Sequence, residues 1–68
     1  MEITYDKDAD AMYIELRQGN FEKNKIIDDL TIVDLDENDT ILGIEILDVS
    51  KRIPDLLVNV KNLKIKAK

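Results

Sequence analysis

Short apolar runs separated by acidic breaks recur along the chain, with side chains alternating in the way strands alternate between two faces of a sheet. The clearest case surrounds Asp36-Glu37-Asn38-Asp39. Asn and Asp tolerate left-handed backbone and bond their own main chain, so this cluster predicts a hairpin turn. Before it, Leu30-Thr31-Ile32-Val33-Asp34-Leu35 is rich in β-branched residues. After it, Ile41-Leu42-Gly43-Ile44-Glu45-Ile46-Leu47 is apolar except at Gly43 and Glu45. Alternation puts Leu42, Ile44 and Ile46 on one face, expected to be core, and Ile41, Gly43, Glu45 and Leu47 on the other. Gly43 leaves a flat spot where another backbone or a large side chain can approach closely.

The same pattern predicts a strand at Glu2–Asp6, with Ile3 and Tyr5 together, and another at Ala11–Arg17, with Met12, Ile14 and Leu16 opposite Ala11, Tyr13 and Glu15. The short Asp6–Asp10 connection makes them an antiparallel hairpin, with Tyr5 and Tyr13 expected to pair across it. Lys23–Asp28 reads as a further strand whose lysines suit a sheet edge. After Leu47 the period changes. Asp48 or Ser50 can cap a helix, and Ile53, Leu56, Leu57, Val60 and Leu63 recur at helical spacing, predicting a helix from about Pro54 to Leu63. Leu63-Lys64-Ile65-Lys66 alternates as a short strand or a frayed tail does. The expected fold class is α+β: a small antiparallel sheet of four to five strands, a meander of hairpins, with one C-terminal helix.

With 68 residues the chain is expected to be a single domain, 1–68, in which 1–53 form the sheet core and 54–68 the helix and a basic tail. A domain so small is marginal alone and is commonly supported by disulfides, metals or oligomerisation. The absence of Cys and His excludes disulfides and the usual zinc sites and leaves oligomerisation; lack of Cys also suits the cytoplasm. Met1 runs directly into a strand-like segment, so no signal peptide is expected, and no apolar run is long enough to span a bilayer. The net charge of −5 is unevenly spread. Residues 1–50 hold 14 acidic and 4 basic side chains, net −10; residues 51–68 hold 1 acidic and 6 basic, net +5. The acidic body argues against nucleic-acid binding, and the basic tail lacks the interleaved aromatics of a single-strand binder.

Candidate chemistry is sparse. Asp34, Asp36, Asn38 and Glu45 approach the spacing of a helix–loop–helix calcium site, but Asp39 stands where that loop needs glycine and the flanks are strands. Asp6, Asp8 and Asp10 form a second carboxylate triplet, most simply a solvated turn. Without His or Cys the common general bases and thiol nucleophiles are missing. Ser50 and Lys51 are adjacent and point apart on a helix, so Ser50 reads as a cap bonding backbone. Gly19 and Gly43 are isolated and make no phosphate loop. No catalytic residue, cofactor or metal is expected.

YDKDADAMYIEL near the start and VDLDENDTILGIEILDVSKR in the middle resemble the bacterial and archaeal domain-of-unknown-function family 2283, over about residues 1–53. The most specific parts are Tyr5-Asp6 with Ala9-Asp10, and Gly43-Ile44-Glu45-Ile46-Leu47-Asp48 followed by Ser50-Lys51-Arg52. The family usually carries Gly near position 39, where this chain has Asp39. The resemblance implies a small antiparallel sheet with a terminal helix and no established activity; some members resemble the partner half of toxin–antitoxin pairs. Composition and resemblance together lead to a non-enzymatic, cytoplasmic interaction module, in its specific form an acidic antitoxin-like partner of a basic protein such as a small ribonuclease. A small metal-dependent hydrolase using the Asp-rich turns is the alternative. A homodimer is also expected, through Tyr13, Ile41, Gly43 and Leu47 with Val33 or Leu35, because that face would otherwise expose apolar surface.

Overall fold

The computed structural model describes residues 1–52 and, by backbone alone, 65–67. Five strands follow the sequence pattern closely: β1 (Glu2–Asp6), β2 (Ala11–Glu15), β3 (Lys23–Asp28), β4 (Thr31–Leu35) and β5 (Ile41–Ile46). A four-residue helix α1 (Val49–Arg52) and a last strand β6 (Ile65–Ala67) complete the described elements. The helix expected from about Pro54 to Leu63 lies outside the described residues.

Turn chemistry explains the strand boundaries. Asp6 accepts from the amides of Asp8 and Ala9, at 3.1 and 3.2 Å, which closes the β1–β2 turn. Asp36 does the same for Asn38 and Thr40, at 2.8 and 2.9 Å. Asp28 accepts from Leu30 at 2.9 Å. Asp10, Asp39 and Asp48 sit at φ of 51°, 62° and 51°, the left-handed conformation that Asp tolerates better than most residues. Asp39 thus serves the turn in a conformation that glycine adopts most readily.

The sheet is not a plain meander. Its order is β3-β4-β5-β2-β1-β6. β1 to β5 pair antiparallel, but β2 pairs with β5 and not with β3, and β6 runs parallel to β1. Composition explains the swap. β3 is exposed at every residue, which suits an edge, whereas apolar β5 gains partners on both sides in the centre. The core on one face comprises Ile3, Met12 and Val49, with Tyr5, Ile14 and Ile46 packed against them. Val49, from α1, is the most deeply buried, at 1% exposure.

Register corrects two expectations. Tyr5 lies opposite Met12 and Tyr13 opposite Thr4, so the two tyrosines occupy opposite faces. Their positions differ by an even number, but hairpin partners here always differ by an odd one. The second correction is a bulge in which Asp34 faces Gly43 but Leu35 faces Ile41, skipping Leu42. A bulge breaks alternation. Ile41 therefore joins Val33 and Leu35 on the core side, and Leu42 turns to the Tyr13 side beside Gly19.

Met12→Ala is expected to cost about 2–5 kcal/mol, the usual range for truncating a long core side chain. Ile26→Ala, on the exposed edge at 72% accessibility, should stay within about 0.5 kcal/mol of the parent. Urea unfolding of both variants checks the contrast; equal losses would mean that the core is elsewhere.

Candidate functional site

The face opposite the core is built by simple parity. Thr4, Tyr13, Glu45, Ile32 and Ile26 form one row across β1, β2, β5, β4 and β3, and Glu2, Glu15, Gly43, Asp34 and Asn24 form the next. Asp6 and Ala11 pair beyond the first row. This face therefore gathers the carboxylates of Glu2, Asp6, Glu15, Asp34 and Glu45, and none of its positions in β1–β5 is Lys or Arg. Arg17, just past β2, borders its far end.

Tyr13 occupies the middle. A Cβ built on Gly43 would lie 2.2 Å from the Tyr13 hydroxyl oxygen and 2.4 Å from its ring carbon Cζ, and 2.9 Å from the Ile14 carbonyl. The flat spot at Gly43 is thus filled by the chain's own tyrosine. Burial first, then the Asp34 side chain and the charges of Asp34, Glu15 and Glu45, hold the phenol's pKa above the ordinary 10.0. A negative field therefore surrounds the one aromatic ring in the centre of this face. Hollows flank it: Thr4, Asp6, Ala11 and Glu45 line one, and Glu15, Phe21, Asp34 and Leu42 the other.

The four residues expected to share one face as a dimer patch are divided between the two sides of the sheet. Tyr13 and Gly43 meet on the acidic face. Ile41 lies on the core side, in a groove with Val33 and Leu35. Leu47 follows β5 and gives its amide to the Leu30 carbonyl at 2.8 Å. The bulge beside Leu42 separates the set, because it inverts the faces for which alternation had been counted.

Sequence reasoning treated Asp10 as one member of a solvated triplet, yet it joins distant parts of the chain. Its carboxylate accepts from the Tyr5 hydroxyl at 2.8 Å, the Ser50 hydroxyl at 2.7 Å and the Ser50 amide at 3.1 Å. Its carbonyl accepts from the Val49 amide at 3.1 Å. The start of α1 is therefore capped by Asp10, forty positions away, and not by the side chain of Asp48 or Ser50. These bonds, with Ser50 first and Tyr5 next, hold Asp10 below the ordinary carboxylate value of 3.8, and the Asp10 bond raises Tyr5. Arg52 secures the other end of α1 by donating to the Leu30 carbonyl and the Thr31 hydroxyl, both at 2.9 Å.

The acidic turns are committed to backbone. Asp6 and Asp36 spend an oxygen on their own turns, and Asp39 takes the Lys23 ammonium at 2.7 Å. Among the described residues no three acidic side chains converge closely enough to hold a metal ion, and no helix is long and apolar enough to cross a membrane. A family model described as "Protein of unknown function (DUF2283)" matches residues 2–50. No curated protein and no solved structure matches the chain significantly.

Two outcomes follow from this geometry. Gly43→Ala should lose about 1–3 kcal/mol by overpacking, and less in a Tyr13→Ala background, since the ring is then gone; thermal denaturation of the four-member cycle measures the coupling. Asp10 has a depressed folded pKa, so its contribution is present above the ordinary 3.8 and lost as pH falls through the folded value. Asp10→Asn should therefore melt several degrees lower at neutral pH, and its gap from wild type should close in acid. A gap that stays constant down to pH about 2 would rule out the charged cap as its origin.

Proposed function

The chain belongs to the DUF2283 family of proteins of unknown function, and from the charge of its sheet we propose that it is a small binding module presenting the Tyr13 face to a basic protein. The supporting observation is segregation: Asp6, Glu15, Asp34 and Glu45 share one face with Glu2, β1–β5 place no Lys or Arg there, and the one basic register position on the face among the described residues is Lys66 of the edge strand β6, beside Thr4. Like charges gathered on one surface repel each other, and an opposite surface relieves that repulsion on contact. The central aromatic ring adds apolar contact area and a face suited to a cationic side chain. In its specific form the module is antitoxin-like, neutralising a basic protein such as a small ribonuclease. It acts in this reading by occupancy and not by catalysis, and in the cytoplasm, which a chain without cysteine suits.

The same charge bears on the homodimer. Two copies joined by a two-fold axis through this face would set carboxylates against carboxylates, so the face is assigned to a partner of opposite sign and not to a second copy. Metal-dependent hydrolysis is the weaker reading, because the turn carboxylates it needs are engaged by the chain's own backbone and by Lys23.

A photo-crosslinking residue at Thr4, used in the native host, tests the proposal. The captured protein should be basic, and Glu15→Lys with Glu45→Lys should reduce capture by about tenfold or more, equivalent to about 1.4 kcal/mol. Raising salt should weaken it further as screening shortens below about 8 Å. Capture of an acidic protein, or capture indifferent to the two charge reversals, would sink the reading.

A further inference from the structure

The acidic face ends in an apolar corner. Tyr13 of β2 lies opposite Glu45 of β5, Glu45 opposite Ile32 of β4, and Ile32 opposite Ile26 of β3. One row thus passes from a phenol through a carboxylate to two isoleucines. Ile26 is 72% exposed and Ile32 partly so. Of the carboxylates on this face, Glu2, Asp6, Glu15 and Glu45 stand on β1, β2 and β5, and β4 adds Asp34. β3 adds Asn24 and Ile26. The basic positions bordering the face lie elsewhere: Arg17 beyond Glu15, and Lys66 of β6 beside Thr4 at the opposite edge. An exposed isoleucine by itself is ordinary on a soluble surface. Here the pair continues the row that carries the charge.

We propose, resting on the reading of this face as the site of a basic protein, that the partner surface sets an apolar side chain beside its cations. The apolar side chain seats on Ile26 and Ile32 while the cations meet Glu15 and Glu45. Neighbouring strands stand about 4.8 Å apart, so β1, β2 and β5 span about 10 Å and all five antiparallel strands about 19 Å. An interface of ordinary size takes about 800 Å² from each partner. Three strands of five or six residues are too narrow for such a footprint, so a protein seated on Glu15 and Glu45 also covers Ile32 and Ile26.

Burial then decides what lies over the isoleucines. A cation pressed on them would give up water for no polar partner. An apolar side chain there gains from burial. It also keeps water from the neighbouring Glu45, where a charge pair is stronger for being sheltered. The row therefore sets an orientation, with the cations toward β1, β2 and β5 and the apolar side chain toward β3.

Two synthetic peptides of equal charge, titrated into the isotope-labelled full chain, test this: one repeats lysine, leucine and glycine, and the other has serine in place of leucine. The leucine peptide should bind about fivefold tighter and should shift the methyls of Ile26 and Ile32 together with the amides of Tyr13 and Glu45. The serine peptide should shift the two amides alone. Ile26→Thr keeps a β-branched side chain on an exposed edge, and an unchanged melt verifies the fold. It should remove the advantage of the leucine peptide and leave the serine peptide as it was. Glu15→Lys with Glu45→Lys should weaken both peptides by about tenfold or more. Four results would each overturn the apolar seat while the basic-partner reading stands, provided that the charge reversals still act. They are equal affinities, an Ile26→Thr chain that still prefers leucine, shifts at Ile27 and Ile41 in place of Ile26 and Ile32, and sedimentation showing a dimer that Ile26→Thr abolishes. Indifference of both peptides to the charge reversals would instead sink that reading, and the seat with it.

Discussion

One carboxylate holds the architecture together. Asp10 ends the β1–β2 turn in left-handed backbone, and from there it reaches Tyr5 on its own hairpin and Ser50 at the start of α1. That reach sets α1 over the sheet and seats Val49 on Ile3 and Met12. Burial of Val49 and capping by Asp10 are therefore coupled. A four-residue helix has almost no stability of its own; it exists because tertiary contacts hold both ends. Asp10 holds the first and Arg52, through Leu30 and Thr31, the second. The two anchors also join the β1–β2 hairpin to the β3–β4 turn, so one short helix spans both halves of the sheet.

This arrangement explains why the motif residues of the family resemblance are spaced as they are. Tyr5-Asp6 and Ala9-Asp10 stand near the start, and Ser50-Lys51-Arg52 stand forty positions later, yet Tyr5, Asp10 and Ser50 meet at one point. Asp6 serves the turn that aims Asp10. Gly43 is a separate requirement, set by the Tyr13 ring above it. The resemblance is thus carried by residues that shape the sheet and its helix junction. The functional reading rests instead on the charge of a face.

Strand positions were legible because alternation and Asp-rich turns act locally: β1 to β5 fall within two residues of the segments read from the pattern. Strand order was not, because it depends on which strands most need burial. The exposed character of β3 and the apolar character of β5 contain that information, but only once the two are compared as competitors for the central place. Face assignment failed at a single residue. Nothing in Ile41-Leu42-Gly43 announces a bulge, and the extra residue moved Ile41 and Leu42 to faces opposite those expected. The pairing of Tyr5 with Tyr13 failed for a countable reason, since an even separation cannot place two residues opposite each other in this hairpin. Asp10 was hidden among neighbours of identical type; its distinguishing partners lie far along the chain.

The sheet carries its charge at an energetic disadvantage. Exposed carboxylates spread over all surfaces would repel each other little at physiological ionic strength, where screening acts over about 8 Å. Gathered on neighbouring strands of one face, they are brought closer together, and like charges in cross-strand positions are destabilising. A small domain has a slender margin to spend on repulsion. On the core side the charge is mixed, with Lys23, Lys25 and Asp39 bordering exposed isoleucines. A fold that needed only solubility would gain it from mixed charge. Separation into an acidic face around Tyr13 and a core side of mixed charge instead gives the two surfaces different preferences. In the proposed reading the acidic face is the one that meets a basic partner, and the contact would relieve the repulsion that the fold otherwise carries.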